Sequence, residues 1–203
     1  EGKKASTRPY FSKFLKELKD ELGDKFLSCT IEARTPPDSL YRVIPDTIEY
    51  ANDLDEINDH CDRVNVMTYD QQRADLKLND ARKGAPYYPV ADSAWVKKVM
   101  KYMAKDIDKD KLVIGVATYG REVALTVAPE WFKSYSGIRA VNPKDAQKTA
   151  KKFKVTPSEN AAGEQSFTYL PKGSLKLSSL PEAPSGTSSG DEVALRALAY
   201  ANE

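Results

Sequence analysis

The chain predicts an α/β fold built on a parallel sheet, and three observations carry that prediction. Helix-like and strand-like stretches alternate through residues 9–118. Two of the strand runs, 63–70 and 112–121, are rich in Val, Ile, Leu and Met, the pattern of strands covered on both faces. Each run ends in tyrosine plus charge, Tyr69-Asp70 and Tyr119-Gly120-Arg121, where a parallel strand emerges at its carboxyl end. Fifty positions separate the two tyrosines, room for a loop, a crossover helix and a return to the next parallel strand. Both tyrosines are then expected to face one crevice.

The elements follow in order. In 9–22 the residues Tyr10, Phe11, Phe14, Leu15, Leu18 and Leu22 keep helical spacing, and Gly23 stands where a C-cap glycine belongs. Residues 25–33 form a strand candidate that runs into the turn-forming Arg34-Thr-Pro-Pro-Asp38. Pro45-Asp46 is expected to open a helix whose Ile48, Ala51, Leu54 and Ile57 share a face. After the strand ending at Asp70 come a polar loop through Pro86-Tyr-Tyr-Pro89 and a helix over 93–106, with Trp95, Val96, Val99, Met100 and Met103 on its apolar side. A strand over 112–118 completes the set. No internal sequence repeat is evident.

Beyond Arg121 the alternation stops. A loop with Trp131, Phe132 and Tyr135 is expected, its aromatics either stacking on a ligand or packing locally. Asn142 and Pro143 mark the start of a helix, as cap and first-turn residue. Residues 163–170 alternate like a half-exposed strand. Residues 181–190 read as a Ser/Gly/Pro-rich loop and 191–202 as a final helix with Val193, Leu195, Leu198 and Tyr200 available for burial. This divides the chain into a part of the parallel fold (1–121), an α+β lobe (122–180) and a linker with a closing helix (181–203).

Composition narrows the function classes. A chain of 203 residues, 40% apolar and 30% charged, is long enough for a sizeable core. Its 31 basic and 30 acidic residues leave a net charge of +1, so no basic surplus is available to neutralise nucleic-acid phosphates. No stretch approaches the apolar length of a membrane span. The lone histidine, His60, has no second histidine or close cysteine pair with which to form a zinc site or a Ser-His-Asp triad, and no glycine-rich phosphate loop is present. No cofactor or metal is expected. Cys29 falls within a strand and Cys61 just before the next, at different levels of a parallel pair, which predicts two buried thiols rather than a bridge. The chain opens on Glu1-Gly-Lys-Lys with neither an initiator methionine nor an apolar leader, so it declares no compartment and is expected to be a processed or excised piece.

Met67-Thr-Tyr-Asp70 and Gly115-Val-Ala-Thr-Tyr-Gly-Arg121, in this order and at this separation, resemble the sixth and seventh barrel strands of the family 18 glycoside hydrolases, the chitinase family. The Glu164, Ser166, Phe167 and Tyr169 pattern is similar to that of the α+β insertion such barrels carry between strands seven and eight. The resemblance implies the C-terminal part of a (β/α)8 barrel of the TIM type. A complete barrel takes about 250 residues, so the first strands are expected before Glu1 and the eighth after Glu203.

The same resemblance implies hydrolysis of β-linked N-acetylglucosamine polymers, a chitin-like oligo- or polysaccharide as partner, and a secreted or cell-surface location. The mechanism it implies is substrate-assisted retention, in which the sugar's own acetamide replaces a protein nucleophile. The family's Asp-x-x-Asp-x-Asp-x-Glu run is not in this sequence. Glu1, placed before Gly-Lys-Lys and a helix, stands where its terminal glutamate would fall and is the candidate general acid. Tyr69 is expected to hydrogen-bond the acetamide as the second catalytic residue. Met67 would line the pocket floor, Asp70 would contact sugar or tune the acid, and Tyr119 and Arg121 would contact sugar. Two alternatives stay open: a carbohydrate-binding relative that has lost the acid, and a hydrolase of the same fold acting on peptidoglycan or N-glycans.

Overall fold

The computed structural model describes residues 6–82, 87–128, 131–170 and 193–200. The chain divides into two compact units: the first comprises Glu1–Tyr69, Ala74–Leu76 and Ala94–Val116, the second Asp70–Arg73, Lys77–Ser93 and Ala117–Glu203.

The first unit contains the predicted parallel sheet. Strands β1 (Ser28–Glu32), β2 (Arg63–Met67) and β3 (Leu112–Ile114) lie in that order, with Cys29 opposite Val64, Glu32 opposite Met67 and Val64 opposite Leu112. The run read as one strand over 112–118 is shorter: β3 ends at Ile114, and Gly115 N–H makes the last bond to β2, at Val66 O. Helices α1 (Arg8–Leu22), α3 (Leu54–His60) and α5 (Ser93–Met103) alternate with these strands along the chain. Cys29, Ile31, Val64 and Val66, which share one face of the sheet, are buried, and so are Leu15, Leu54, Ile57, Val99 and Met103 of the helices. The other face alternates outward: Ser28 and Thr30 are exposed, Asn65 and Met67 half-buried, and the Asn65 amide donates to Ser28 Oγ at 2.8 Å.

Several local expectations are met and others corrected. Gly23 closes α1 at φ 58°, its N–H reaching Lys19 O. Among the α1 residues expected to be buried, only Leu15 is; Tyr10 and Phe14 are 74% and 54% exposed. The helix expected from Pro45 begins only at Leu54. Asp53 caps it by accepting the Asp55 N–H at 3.1 Å, while the preceding residues are engaged elsewhere: Asn52 receives Arg34 and the Tyr50 ring lies under the same guanidinium. A short helix α2 (Pro37–Leu40) occupies the expected turn, and α4 (Leu76–Ala81) forms within the region read as loop. Cys29 and Cys61 are joined in a disulfide with Cα atoms 6.0 Å apart, not two free thiols. Strand level alone does not decide their separation: Cys61 is not on a strand but is the C-cap of α3, buried like Cys29.

The second unit is an antiparallel sheet in the order β5-β4-β8-β7-β6, formed by β4 (Gly120–Ala128), β5 (Trp131–Val141), β6 (Ser158–Glu159), β7 (Gln165–Tyr169) and β8 (Val193–Tyr200). The loop expected around Trp131, Phe132 and Tyr135 is strand β5, paired with β4 along its length. The closing helix expected over 191–202 is strand β8, hydrogen-bonded by β4 on one side and β7 on the other. An Ala/Leu-rich run has helical propensity, but two open strand edges satisfy its backbone on both sides, and tertiary context overrides a preference of tenths of a kcal/mol per residue. Helix α6 (Pro143–Phe153) starts as read: Asn142 Oδ1 accepts the Asp145 N–H at 2.8 Å. Its Ala146 and Ala150 pack with Val141, Phe167 and Tyr169, joined by Phe153 and Val155.

Candidate active-site residues

At the carboxyl end of the parallel sheet, β2 runs into Thr68-Tyr69. Thr68 is 1% exposed; its N–H donates to Val66 O at 2.8 Å and its hydroxyl to Gly115 O at 2.7 Å. Gly115 N–H donates to Val66 O at 2.8 Å. The two motif runs are thereby sewn together at Gly115, and the requirement for glycine is steric. A Cβ there would lie 2.6 Å from Val66 O, 3.2 Å from Tyr69 Cε1 and 3.4 Å from Met67 Cα. Tyr69 is half-buried with its ring edge against this glycine, and Met67, half-buried, stands on the outward face opposite Glu32.

In the second unit, Asp70 opens a tight turn with φ 57°, a left-handed conformation that Asp tolerates better than most residues, and Gln72 follows at φ 49°. Arg121 Nε donates to Asp70 Oδ1 at 2.9 Å and its Nη2 donates to the same oxygen; the Arg121 guanidinium also lies 5.2 Å from the Tyr119 ring centroid. Asp70, Tyr119 and Arg121 therefore form one cluster. Burial pushes the Tyr119 phenol above its ordinary range, and its hydrogen bond to Asp70 pushes the same way. The bond to Asp70 holds the Arg121 charge more firmly still, against a smaller opposing effect of burial.

The turn after Asp70 is clasped by polar groups of which the sequence reading singled out only Glu164, as part of an insertion pattern. Gln71, 1% exposed, accepts the Asp92 N–H at 2.7 Å and donates to Tyr87 OH at 3.1 Å; Tyr87 OH in turn donates to Asp92 Oδ2 at 2.9 Å. Arg82 pairs with that carboxylate at 3.1 Å. Glu164 Oε1 then accepts the N–H groups of Val90 and Ala91 at 2.8 and 2.9 Å, so the lobe fastens the 87–92 segment. Burial raises the Glu164 carboxyl above the usual carboxylate range, against the lowering effect of those donors. Glu122, 1% exposed, receives the Tyr169 hydroxyl and Arg139 Nε, the latter at 2.6 Å. A glutamate between Arg121 and Val123 in an alternating strand carries no sequence mark of burial. Glu1 lies outside the described residues. Among the described residues there is no group of three or more His, Cys, Asp or Glu side chains placed to hold a metal, and no helix is long and apolar enough to cross a membrane.

The family model described as glycosyl hydrolases family 18 matches residues 1–181. No curated protein sequence matches the chain significantly. Solved structures share its fold at low identity. The spore cortex-lytic enzyme SleL of Bacillus megaterium is similar over 98% of this chain and 38% of its own, at 20% identity and a TM-score of 0.61. A chitinase of Chromobacterium violaceum is similar over 98% of this chain and 50% of its own, at 19% identity and 0.62. Group IV chitinase of Ostrinia furnacalis, in complex with allosamidin, is similar over 97% and 50%, at 15% identity and 0.56. The chain thus spans half or less of the length of these three relatives.

Proposed function

Because the chain belongs to the glycosyl hydrolases family 18, whose fold is TIM-barrel-like, we propose that it supplies part of the active site of a glycosidase acting on a carbohydrate that contains N-acetylglucosamine. The observation that supports this reading is the adjacency of β2 and β3 in one parallel sheet, the two strands that lead into the Met-x-Tyr-Asp and Gly-x-x-x-Tyr-Gly-Arg runs. Parallel α/β sheets carry their chemistry at the carboxyl ends of the strands, where Met67 and Tyr69 lie. The three-stranded sheet is an arc of such a barrel, and no closed barrel is formed among the described residues.

The proposed chemistry is retention assisted by the substrate. Glu1 donates its proton to the glycosidic oxygen as the C1–O bond breaks, and the 2-acetamido carbonyl oxygen bonds to C1 in place of a protein nucleophile. Water then opens the resulting ring and returns a proton to Glu1. Tyr69 hydrogen-bonds the acetamide in its attacking pose, a contribution through orientation that the Gly115 contact supports. Met67 lines the floor of the sugar site, and Asp70, Tyr119 and Arg121 contact sugar hydroxyls as a preset donor and acceptor cluster. A chitin-like polymer is the proposed substrate. The cortex-lytic neighbour supports a bacterial wall glycan as the second candidate. The proposed location is secreted or cell-surface, supported by the Cys29–Cys61 disulfide, since such bridges form and persist in oxidising compartments.

The test is release of N-acetylglucosamine oligomers from a short chitin oligosaccharide by the full-length protein and by its Glu1→Gln and Tyr69→Phe variants. Loss of turnover by about 10²-fold or more in each, with the melting temperature unchanged, is expected. Unchanged turnover in Tyr69→Phe removes that residue from the mechanism. Inactivity of all three proteins with oligosaccharide binding retained identifies a noncatalytic relative, and hydrolysis of wall glycan alone identifies the second substrate.

A further inference from the structure

Glu32 ends β1 at the carboxyl edge of the parallel sheet, directly opposite Met67 in register. Neighbouring strands lie about 4.8 Å apart, and residues opposite one another on parallel strands project to the same face. The alternation fixes which face: Cys29 and Ile31 lie on the buried face with Val64 and Val66, so Ser28, Thr30 and Glu32 lie on the opposite face with Asn65 and Met67. Glu32 therefore stands on the outward face beside Met67, the last residue of β2 and the one proposed to line the sugar site, two residues before Tyr69.

Its carboxylate is also held in place. Both oxygens receive the Asn52 amide, at 3.3 and 3.2 Å. Asn52 is 8% exposed and is itself fixed by Arg34, 7% exposed, whose guanidinium donates to Asn52 O at 2.8 Å and to Asn52 Oδ1, and stacks 3.9 Å from the Tyr50 ring centroid. A surface glutamate would need none of this. A buried arginine and a buried amide arranged behind a half-exposed carboxylate resemble the supporting shell of a binding group, which fixes the group's direction before the ligand arrives.

We infer that Glu32 is a further substrate-contacting residue, an acceptor for a hydroxyl or amide N–H of the glycan at the Met67 position, with Asn52 and Arg34 as its positioning residues. An ionised carboxylate accepts and does not donate, so the ligand group it takes must be a donor. The inference rests on the glycosidase reading.

The experiment measures binding of a short N-acetylglucosamine oligomer to the full-length protein by titration calorimetry, with melting temperature recorded for every variant. Glu32→Gln keeps the shape and one acceptor for the Asn52 amide but loses the charge-assisted bond to the ligand. It is expected to weaken binding about tenfold with the melting temperature unmoved. Asn52→Ala, which frees the carboxylate to swing, is expected to weaken binding less, while Glu32→Asp recovers part of the loss. As a readout that survives a misfolded variant, the carboxyl carbon resonance of Glu32 in the unmodified protein is expected to shift on addition of the oligomer. Wild-type affinity in Glu32→Gln, or a Glu32 resonance that does not move while others do, overturns the inference and leaves the glycosidase reading standing. Absence of any binding by the unmodified protein overturns both.

Discussion

Replacing Gly115 by alanine tests whether the two motif strands act as one device. The new Cβ would lie 2.6 Å from Val66 O, a backbone atom that no rotamer change can move aside. Reaching ordinary contact requires a displacement of about 0.7 Å between β3 and β2, which strains the 2.8 Å Gly115 N–H bond to Val66 O and the 2.7 Å Thr68 hydroxyl bond to Gly115 O. Overpacking of this kind costs about 1–3 kcal/mol, and in a protein of this size each kcal/mol lowers the melting temperature by about 2–4 °C. The same methyl group stands 3.2 Å from Tyr69 Cε1, so the ring must also shift. A catalytic group displaced by about 1 Å can cost on the order of 10²-fold in rate. The assay pairs thermal unfolding with turnover of a chitin oligosaccharide, and Gly137→Ala serves as control, since a Cβ there meets nothing within 4 Å. Gly115→Ala is expected to lose both stability and turnover while Gly137→Ala keeps both. Wild-type melting and turnover in Gly115→Ala would refute the steric account of this glycine.

Three further outcomes are expected. Converting Cys29 and Cys61 together to alanine opens a bridge of sequence separation 32 and is expected to cost roughly 3–4 kcal/mol on the chain-entropy model, seen as a lower urea midpoint; an unchanged midpoint contradicts it. Burial raises the Glu164 carboxyl above 4.5, so the folded protein holds that proton more tightly than the unfolded chain, and the associated stability is full below pH 4.5 and lost as pH rises through the raised value. Glu164→Gln, whose amide oxygen can still accept from Val90 and Ala91, is expected to flatten melting temperature against pH between 4 and 8; a profile parallel to wild type excludes the effect. Asp70→Asn keeps a residue that tolerates φ 57° but removes the charge facing Arg121, so it is expected to weaken oligosaccharide binding about tenfold with little change in melting temperature; equal binding would remove the Asp70–Arg121 pair from the sugar site.

The parallel part of the fold was legible because its information is local. The periodicity of α1 and α5, the apolar runs of β2 and β3, and the capping chemistry of Gly23 and Asn142 all act within a few residues of where they are read. The antiparallel sheet was not, because β5 and β8 are defined by their partners. Residues 193–200 have the composition of a helix and become a strand only where β4 and β7 offer hydrogen-bonding edges on both sides. The disulfide escaped for a related reason: a comparison of strand levels does not place Cys61, which belongs to the end of α3 and not to a strand.

Residue type and order singled out Met67, Tyr69, Asp70, Tyr119 and Arg121 as candidates, while the buried polar groups that brace the neighbouring segments were silent. Gln71, Asp92, Arg34 and Asn52 are ordinary polar letters in loop-like sequence, and only burial distinguishes them. The asymmetry has a physical cause. A residue that meets a ligand is constrained by chemistry at one point, and so recurs as a short pattern. A residue that holds it in place is constrained by geometry over 10 to 74 positions, from Asp92 beside Arg82 to Glu164 beside Val90. Gly115 is the informative exception. It is a positioning residue with a local signature, because the demand it meets is the absence of a side chain, and glycine alone supplies that.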